Sequence, residues 1–230
     1  MRKRITVILP AYNEEDRIAH TIAGLQKSNY VNRILVVDDG SKDETARVAE
    51  AAGAEVYRLP ANAGKGYAMQ QGVEKTVHDS DILVFLDADI GEGASEIDKL
   101  IAPIDLEEAD VTIARFPAAK KKGGFGLVKN LAKYGVKFYT GKTLTASLSG
   151  QRAFKSEVLA AIGKMPVHYG VEVGMTIDLL RMGYHILEVD VNMTHRETGR
   201  DLKGFIHRGK QFCQILATLI QKSKGVVRSC

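Results

Sequence analysis

Two periods of apolar and polar residues alternate along the first half of the chain. Short, continuously apolar and β-branched runs predict strands at Ile5–Leu9, Arg33–Val37, Glu55–Tyr57, Ile82–Leu86 and Val111–Ala114. Between them, Glu14–Ser28, Asp43–Ala52, Gly64–Thr76 and Ser95–Ala102 place apolar residues at helical spacing. Strands that are apolar on both faces need helices above and below them. Repeated strand–helix units build a parallel sheet through right-handed crossovers. The expected fold class is therefore α/β, a doubly wound, mainly parallel sheet with helices on both faces.

After Ala114 the pattern changes. Pro117 to Gly126, with three successive lysines and Gly123-Gly124, reads as a mobile basic loop. Leu127–Tyr139 predicts a helix, Ser147–Phe154 a strand, Val171–Met182 a helix and His185–Val191 a strand. From Leu202 to Lys222, Phe205, Phe212, Ile215, Leu216 and Leu219 recur at helical spacing. That stripe can pack on the core or on a second copy of the chain, as in a homodimer.

Length and composition agree with one globular domain over residues 1–230, divided functionally at 114/115: the chain has 230 residues, 45% hydrophobic and 26% charged. Arg2-Lys3-Arg4 followed by an apolar run has the order of a secretory leader. The run lasts only from Ile5 to Leu9 before Pro10, so it reads as a first strand. No stretch approaches the roughly 20 apolar residues that span a bilayer. Cys213 and Cys230 form no disulfide framework and favour a reducing, cytoplasmic setting.

Charge divides the chain sharply. Residues 1–114 hold 12 Lys and Arg against 21 Asp and Glu, whereas residues 115–230 hold 20 against 7. One half offers acidic groups and the other faces an anionic partner or is simply solvated; nothing in the pattern calls for nucleic acid.

The polar punctuation falls at strand ends, where open α/β sheets bind ligands. Asp38-Asp39-Gly40-Ser41 follows the second strand, Asn62-Ala63-Gly64-Lys65-Gly66 the third and Asp87-Ala88-Asp89 the fourth. Carboxylates at the rim of an apolar sheet call for a compensating cation or ligand. Asp87 and Asp89 suit Mg²⁺ or Mn²⁺ completed by diphosphate and water, or else Asp89 caps the next helix and backbone amides satisfy Asp87. One aspartate of Asp38-Asp39 can accept hydrogen bonds from a base or ribose; the competing account makes Asp38 a turn former and Asp43 the cap of the next helix, and both can hold at once. Lys65 sits at a helix start, close enough to meet a phosphate or a base.

Together these segments resemble glycosyltransferase family 2 and its GT-A relatives. The resemblance rests on Pro10-Ala11-Tyr12-Asn13-Glu14-Glu15, Val36-Val37-Asp38-Asp39-Gly40-Ser41-x-Asp43-x-Thr45, Asn62-x-Gly64-Lys65-Gly66 and Phe85-Leu86-Asp87-Ala88-Asp89, in that order. It implies a nucleotide-sugar held by Pro10, Ala11, Glu14, Asp39, Lys65 and Asp87, with a metal on Asp89. More loosely, Leu148–Phe154, Tyr169–Gly174 and His195-Arg196 are similar to segments of glucosyl-3-phosphoglycerate synthases, though Gln151-Arg152 stands where that group has an acidic residue after the glycine. This similarity implies His195 as a second metal ligand and Gly150, Arg152 and Arg196 on the acceptor. Glu172 would hold sugar hydroxyls or act as general base, so Asp87, Asp89 and Glu172 are the expected catalytic set.

The implied activity is metal-dependent transfer of a sugar from UDP- or GDP-sugar to an anionic acceptor. Lys129, Lys133 and Lys137 share one helix face. With the other basic residues they suit either a small phosphorylated acceptor such as a phosphoglycerate or anionic lipid headgroups at the inner membrane face. In the second case the acceptor is a polyprenyl phosphate or a cell-envelope component. Sugar nucleotidyltransferases share the fold but open with a glycine-rich basic loop, where this chain has Pro10–Glu14; a non-catalytic nucleotide-sugar binder is the remaining alternative.

Overall fold

A computed structural model of the protein describes residues 2–117, 126–163, 171–193 and 202–226; in the last stretch it describes side chains for 209 and 211–223. Among the described residues seven strands form one sheet: β1 Ile5–Ala11, β2 Arg33–Asp38, β3 Glu55–Arg58, β4 Ile82–Phe85, β5 Val111–Arg115, β6 Arg152–Lys155 and β7 Ile186–Asp190. Their order is β3-β2-β1-β4-β6-β5-β7, so strands from both halves of the chain share it. All pairings are parallel except those of β6, which runs antiparallel to both β4 and β5.

The helices are α1 Ile18–Leu25, α2 Thr45–Ala51, α3 Lys65–Thr76, α4 Asp98–Asp105, α5 Leu127–Thr140, α6 Ser156–Ile162, α7 Val171–Arg181 and α8 Leu202–Val226. Side chains along a strand alternate between faces, and the core divides accordingly. Val7, Leu9 and Val84 pack with Ile18, Ile22, Leu100 and Ile101 on one face. Ile8, Leu83, Phe85 and Phe154 pack with Met69, Val73, Val158 and Met175 on the other. A third cluster joins α5, α7 and α8 through Ala132, Val136, Val173, Ile177, Ile215 and Leu219.

Several elements differ from the sequence expectation. The first helix starts at Ile18 because Glu14 to Arg17 form turns, in which the Glu14 carbonyl accepts the amides of Arg17 and Ile18. Ser95–Ala102 is divided between a 3₁₀ turn, Gly91–Ile97, and α4. Ser147–Gly150 is a turn rather than strand, closed by the Ser149 amide on the Ala146 carbonyl, and pairing begins only at Arg152. Helix α6 follows β6 without a loop and has no counterpart in the expected elements. On α8, Ile215 and Leu219 are buried as expected but Leu216 is 41% exposed.

At the end of the sheet where β1 begins, an ionic cluster binds three segments. Glu107 pairs with Lys3 and Lys155, and Lys155 also pairs with Asp110. Hydrogen bonds from the two lysines pull the Glu107 carboxyl down to about 2.

Candidate functional site

The loops leaving the carboxyl ends of β2 and β3 touch backbone to backbone. Gly40 has φ +70°, and a Cβ there would lie 2.7 Å from the Ala61 carbonyl carbon. Only glycine meets both demands. The neighbouring Asp39 is 3% exposed and accepts the amides of Ala63 and Gly64, one on each carboxylate oxygen, both at 2.8 Å. Asp38 forms the turn, its Oδ1 accepting the Ser41 amide at 2.9 Å, while Arg58 Nε lies 3.2 Å from its buried Oδ2. Asp43 accepts both the amide and the hydroxyl of Thr45 where α2 begins.

The loop after β1 is laced to the same region. Asn13, at φ 54°, donates its amide to Ser41 Oγ and accepts the Lys42 amide on Oδ1. The Glu14 amide donates to Thr45 Oγ1 at 2.8 Å, and Glu15 exchanges hydrogen bonds with Asp43 and Glu44. Ala11 is buried beneath this lacing, Pro10 and Glu14 are half-buried, and Tyr12 is exposed.

The turn after β4 is anchored from α1. Thr21 Oγ1 donates to the Ala88 carbonyl at 2.7 Å and accepts the Gly91 amide at 2.8 Å. The Asp87 carboxylate is then gripped from two directions. Lys65, the first residue of α3, pairs with Oδ1, and the Gln151 amide nitrogen, arriving ahead of β6, donates to Oδ2. Gly150 stands where these groups converge: a Cβ there would lie 2.8 Å from Lys65 Nζ, 3.7 Å from Asp87 Oδ1 and 3.9 Å from Glu172 Oε1. Burial opposes the charge on Lys65, but the fields of Asp87, Glu172 and Asp89 outweigh it and raise its pKa. The side-chain carboxylate of Asp89 takes no hydrogen bond among the described residues; its carbonyl accepts from Arg17 at 3.4 Å.

The expected site residues thus fall into three groups. Lys65, Asp87, Asp89, Gly150 and Glu172 come together across four segments, and Asp39 holds the loop that delivers Lys65. Arg152 lies behind them rather than facing an acceptor. It is 1% exposed, and its guanidinium donates inward to the carbonyls of Ser147 and Ser149 and to Thr176 Oγ1. Burial pulls its pKa down to about 10 against the opposing fields of Glu172 and Glu188. His195 and Arg196 lie outside the described residues, as do Lys120–Lys122 and Tyr169. Thr21 and Gln151 were not anticipated as supports of the cluster. Position 151, an amide where an acid was expected, carried the one usable signal.

Among the described residues no three potential ligands form a metal cluster by themselves. The donor chemistry nevertheless fits a hard cation, because two carboxylates leave room for the diphosphate and water oxygens that Mg²⁺ and Mn²⁺ retain.

A model of the family described as Glycosyl transferase family 2 matches residues 6–164. The UDP-N-acetylglucosamine–dolichyl-phosphate N-acetylglucosaminyltransferase of Methanococcus voltae is 31% identical over 70% of this chain and 73% of its own. The undecaprenyl-phosphate mannosyltransferase of Micrococcus luteus is 28% identical over 85% of this chain and 86% of its own. Among solved structures, glucosyl-3-phosphoglycerate synthase from Mycobacterium tuberculosis, in complex with Mn²⁺, uridine diphosphate and phosphoglyceric acid, superposes with a TM-score of 0.80. It is 28% identical, covering 95% of this chain and 78% of that one, and a further structure of it holds Mg²⁺ and uridine diphosphate.

Proposed function

This chain belongs to glycosyl transferase family 2, and we propose that it transfers a sugar from a UDP-sugar to a phosphorylated acceptor with Mg²⁺ or Mn²⁺ on Asp89. The observation that carries this reading is the convergence of Lys65, Asp87, Asp89 and Glu172 around Gly150 at the carboxyl edge of the sheet. Uridine diphosphate and either metal are bound by the solved relative, which supports the donor class.

When bound, the metal would neutralise the diphosphate as it leaves, and His195 would be its other protein ligand. Lys65 supplies positive charge beside the sugar or its phosphates, and its pairing with Asp87 keeps that charge in place. Gln151 and Lys65 together fix the orientation of the Asp87 carboxylate, leaving it to accept hydroxyls of the ribose or the sugar. Glu172, in the first turn of α7, holds sugar hydroxyls or takes the acceptor proton. Pro10, Ala11, Glu14 and Asp39 border the nucleoside end, and Gly150 leaves room for the reacting groups.

Melting curves of the protein with UDP-sugars, each with and without Mn²⁺, test this directly. A metal-dependent upward shift is expected, because ligands of the folded state stabilise it by mass action. Asp89→Ala should abolish the metal dependence, and transfer retained by that variant would sink the metal assignment.

A second reading takes the phosphorylated acceptor to be a polyprenyl phosphate. It is favoured by the two relatives named for lipid-phosphate acceptors. Incubating labelled UDP-sugar with phosphoglyceric acid or with a detergent-solubilised polyprenyl phosphate separates the two by which product takes up label.

A further inference from the structure

Helix α5 carries two apolar faces where a helix packed on one side needs only one. Val128, Ala132, Gly135, Val136 and Tyr139 turn toward α7 and α8. Leu127, Tyr134 and Phe138 lie on a second face and are 61%, 63% and 83% exposed. At 100° per residue these three fall within about 40° of one another; Lys137 flanks them about 60° from Tyr134, Lys133 follows about 40° further round, and Lys129 lies on the far side of the helix. Exposure of that extent for a phenylalanine on a regular helix leaves most of its ring in water, which a lone surface role does not repay.

We infer that this face of α5 docks the protein on an anionic lipid surface, with Tyr134 and Phe138 entering the headgroup region and Lys137 and Lys133 reaching lipid phosphates from its flank. Charge complementarity selects this occupant. Helices α5 and α8, packed side by side, contain three and five Lys and Arg respectively and no Asp or Glu. A second copy packed antiparallel on this face across a two-fold axis would set the lysine flank against itself, whereas an anionic bilayer neutralises it. Leu216 and Ile220 of α8 are also exposed, at 41% and 51%. No helix among the described residues is long and apolar enough to cross a membrane, so the contact is interfacial. Because α7 joins the same helix cluster and carries Glu172 in its first turn, docking here would bring the cleft to a lipid-linked acceptor. That last consequence rests on the transferase reading; the docking does not.

The test uses the full chain and vesicles, without any turnover. It should co-sediment with vesicles of phosphatidylcholine mixed with phosphatidylglycerol, and far less with phosphatidylcholine alone or at high salt. Phe138→Asp should weaken partitioning about tenfold or more. Replacing Lys133 and Lys137 together by Gln should weaken it about thirtyfold on the anionic vesicles. Phe138 and Lys137 are exposed and Lys133 is half-buried, so both variants must first show an unchanged melting temperature. Full-strength binding by Phe138→Asp, or no wild-type binding to anionic vesicles, would overturn the proposal. So would a wild-type dimer that Phe138→Asp converts to monomer in sedimentation velocity without vesicle binding, because the occupant would then be a second copy. Vesicle binding without any UDP-sugar thermal shift would instead reject the transferase reading and leave the docking intact.

Discussion

The amide of Gly64 donates to Oδ2 of Asp39 at 2.8 Å, and this bond ties the loop before α3 to the end of β2. Ala63 donates to the other carboxylate oxygen at the same distance. Lys65 follows immediately as the first residue of α3, so the carboxylate of one strand end sets where the ammonium of another segment begins its reach.

Asp39→Ala should therefore do two things at once. Losing two charge-assisted hydrogen bonds to backbone amides is expected to cost about 1–3 kcal/mol in urea unfolding. UDP-sugar binding should weaken as well, since Lys65 loses its anchor. Asp39→Asn keeps one acceptor and should fall between the wild type and Asp39→Ala; wild-type stability and binding in both variants would show that the loop does not depend on the carboxylate.

Gly150→Ala separates folding from function. Its Cβ would lie 2.8 Å from Lys65 Nζ, the far end of a flexible side chain that can move aside. Stability should change by less than about 1 kcal/mol, within the range of substitutions that create no core strain. The displaced ammonium leaves Asp87, however, so kcat/KM should drop about tenfold, equivalent to one pair worth about 1.4 kcal/mol in the transition state. Steady-state kinetics beside a melting curve decide it.

Gly72→Ala tests how closely α3 must approach the sheet. A Cβ at Gly72 would lie 2.5 Å from Ile8 Cγ2 and 3.3 Å from Val37 Cγ2, both on β-branched residues of the core. The alanine gains about 1 kcal/mol in helix propensity, but overpacking against stiff side chains costs about 1–3 kcal/mol. A net loss of stability in urea is expected, and a stabilised variant would mean that α3 rides freely over β1.

The ionic cluster at Glu107 predicts an acid limb to the stability curve. Its carboxyl is lowered to about 2 in the folded protein by hydrogen bonds from Lys155 and Lys3. A depressed carboxylate pKa stabilises the fold above the unfolded value and is lost as pH falls through the folded one. The melting temperature of Glu107→Gln should lie below that of the wild type at neutral pH. The gap should close between about pH 4.5 and pH 2, the interval separating the unfolded and folded values. A gap that persists at pH 2 would assign the difference to packing.

Local patterns carried the first half well, because β1, β2 and β4 are largely apolar runs, each followed by its own polar turn. Val36-Val37-Asp38-Asp39-Gly40 announces both a strand end and a tight turn, and Gly40 does permit the close approach of the next loop. Relations between distant segments were not legible in this way. Gln151 reaches Asp87 across 64 positions and Thr21 holds the Ala88 carbonyl across 67, and no period in either neighbourhood encodes those meetings. Arg152 misled for a related reason. A basic residue beside a glycine suggests an anion, yet its partners are two backbone carbonyls and a threonine hydroxyl that exist only once the 147–149 turn and α7 are folded. The reversal of β6 also escaped, since four residues of strand, Arg152-Ala153-Phe154-Lys155, read alike in either direction.

That reversal has a consequence for how the cleft is assembled. Parallel strands deliver their following loops to the cleft, so any alteration there propagates into the helix that comes next. Strand β6 enters at the edge where β4 leaves, with Arg152 opposite Phe85. The segment that approaches it, Ser147 to Gln151, therefore precedes its strand and belongs to no strand–helix crossover of the first half. One inverted strand thus brings Gly150 and Gln151 to Asp87 on an inbound turn, where the parallel strands bring Lys65 and Asp87 itself on outbound ones.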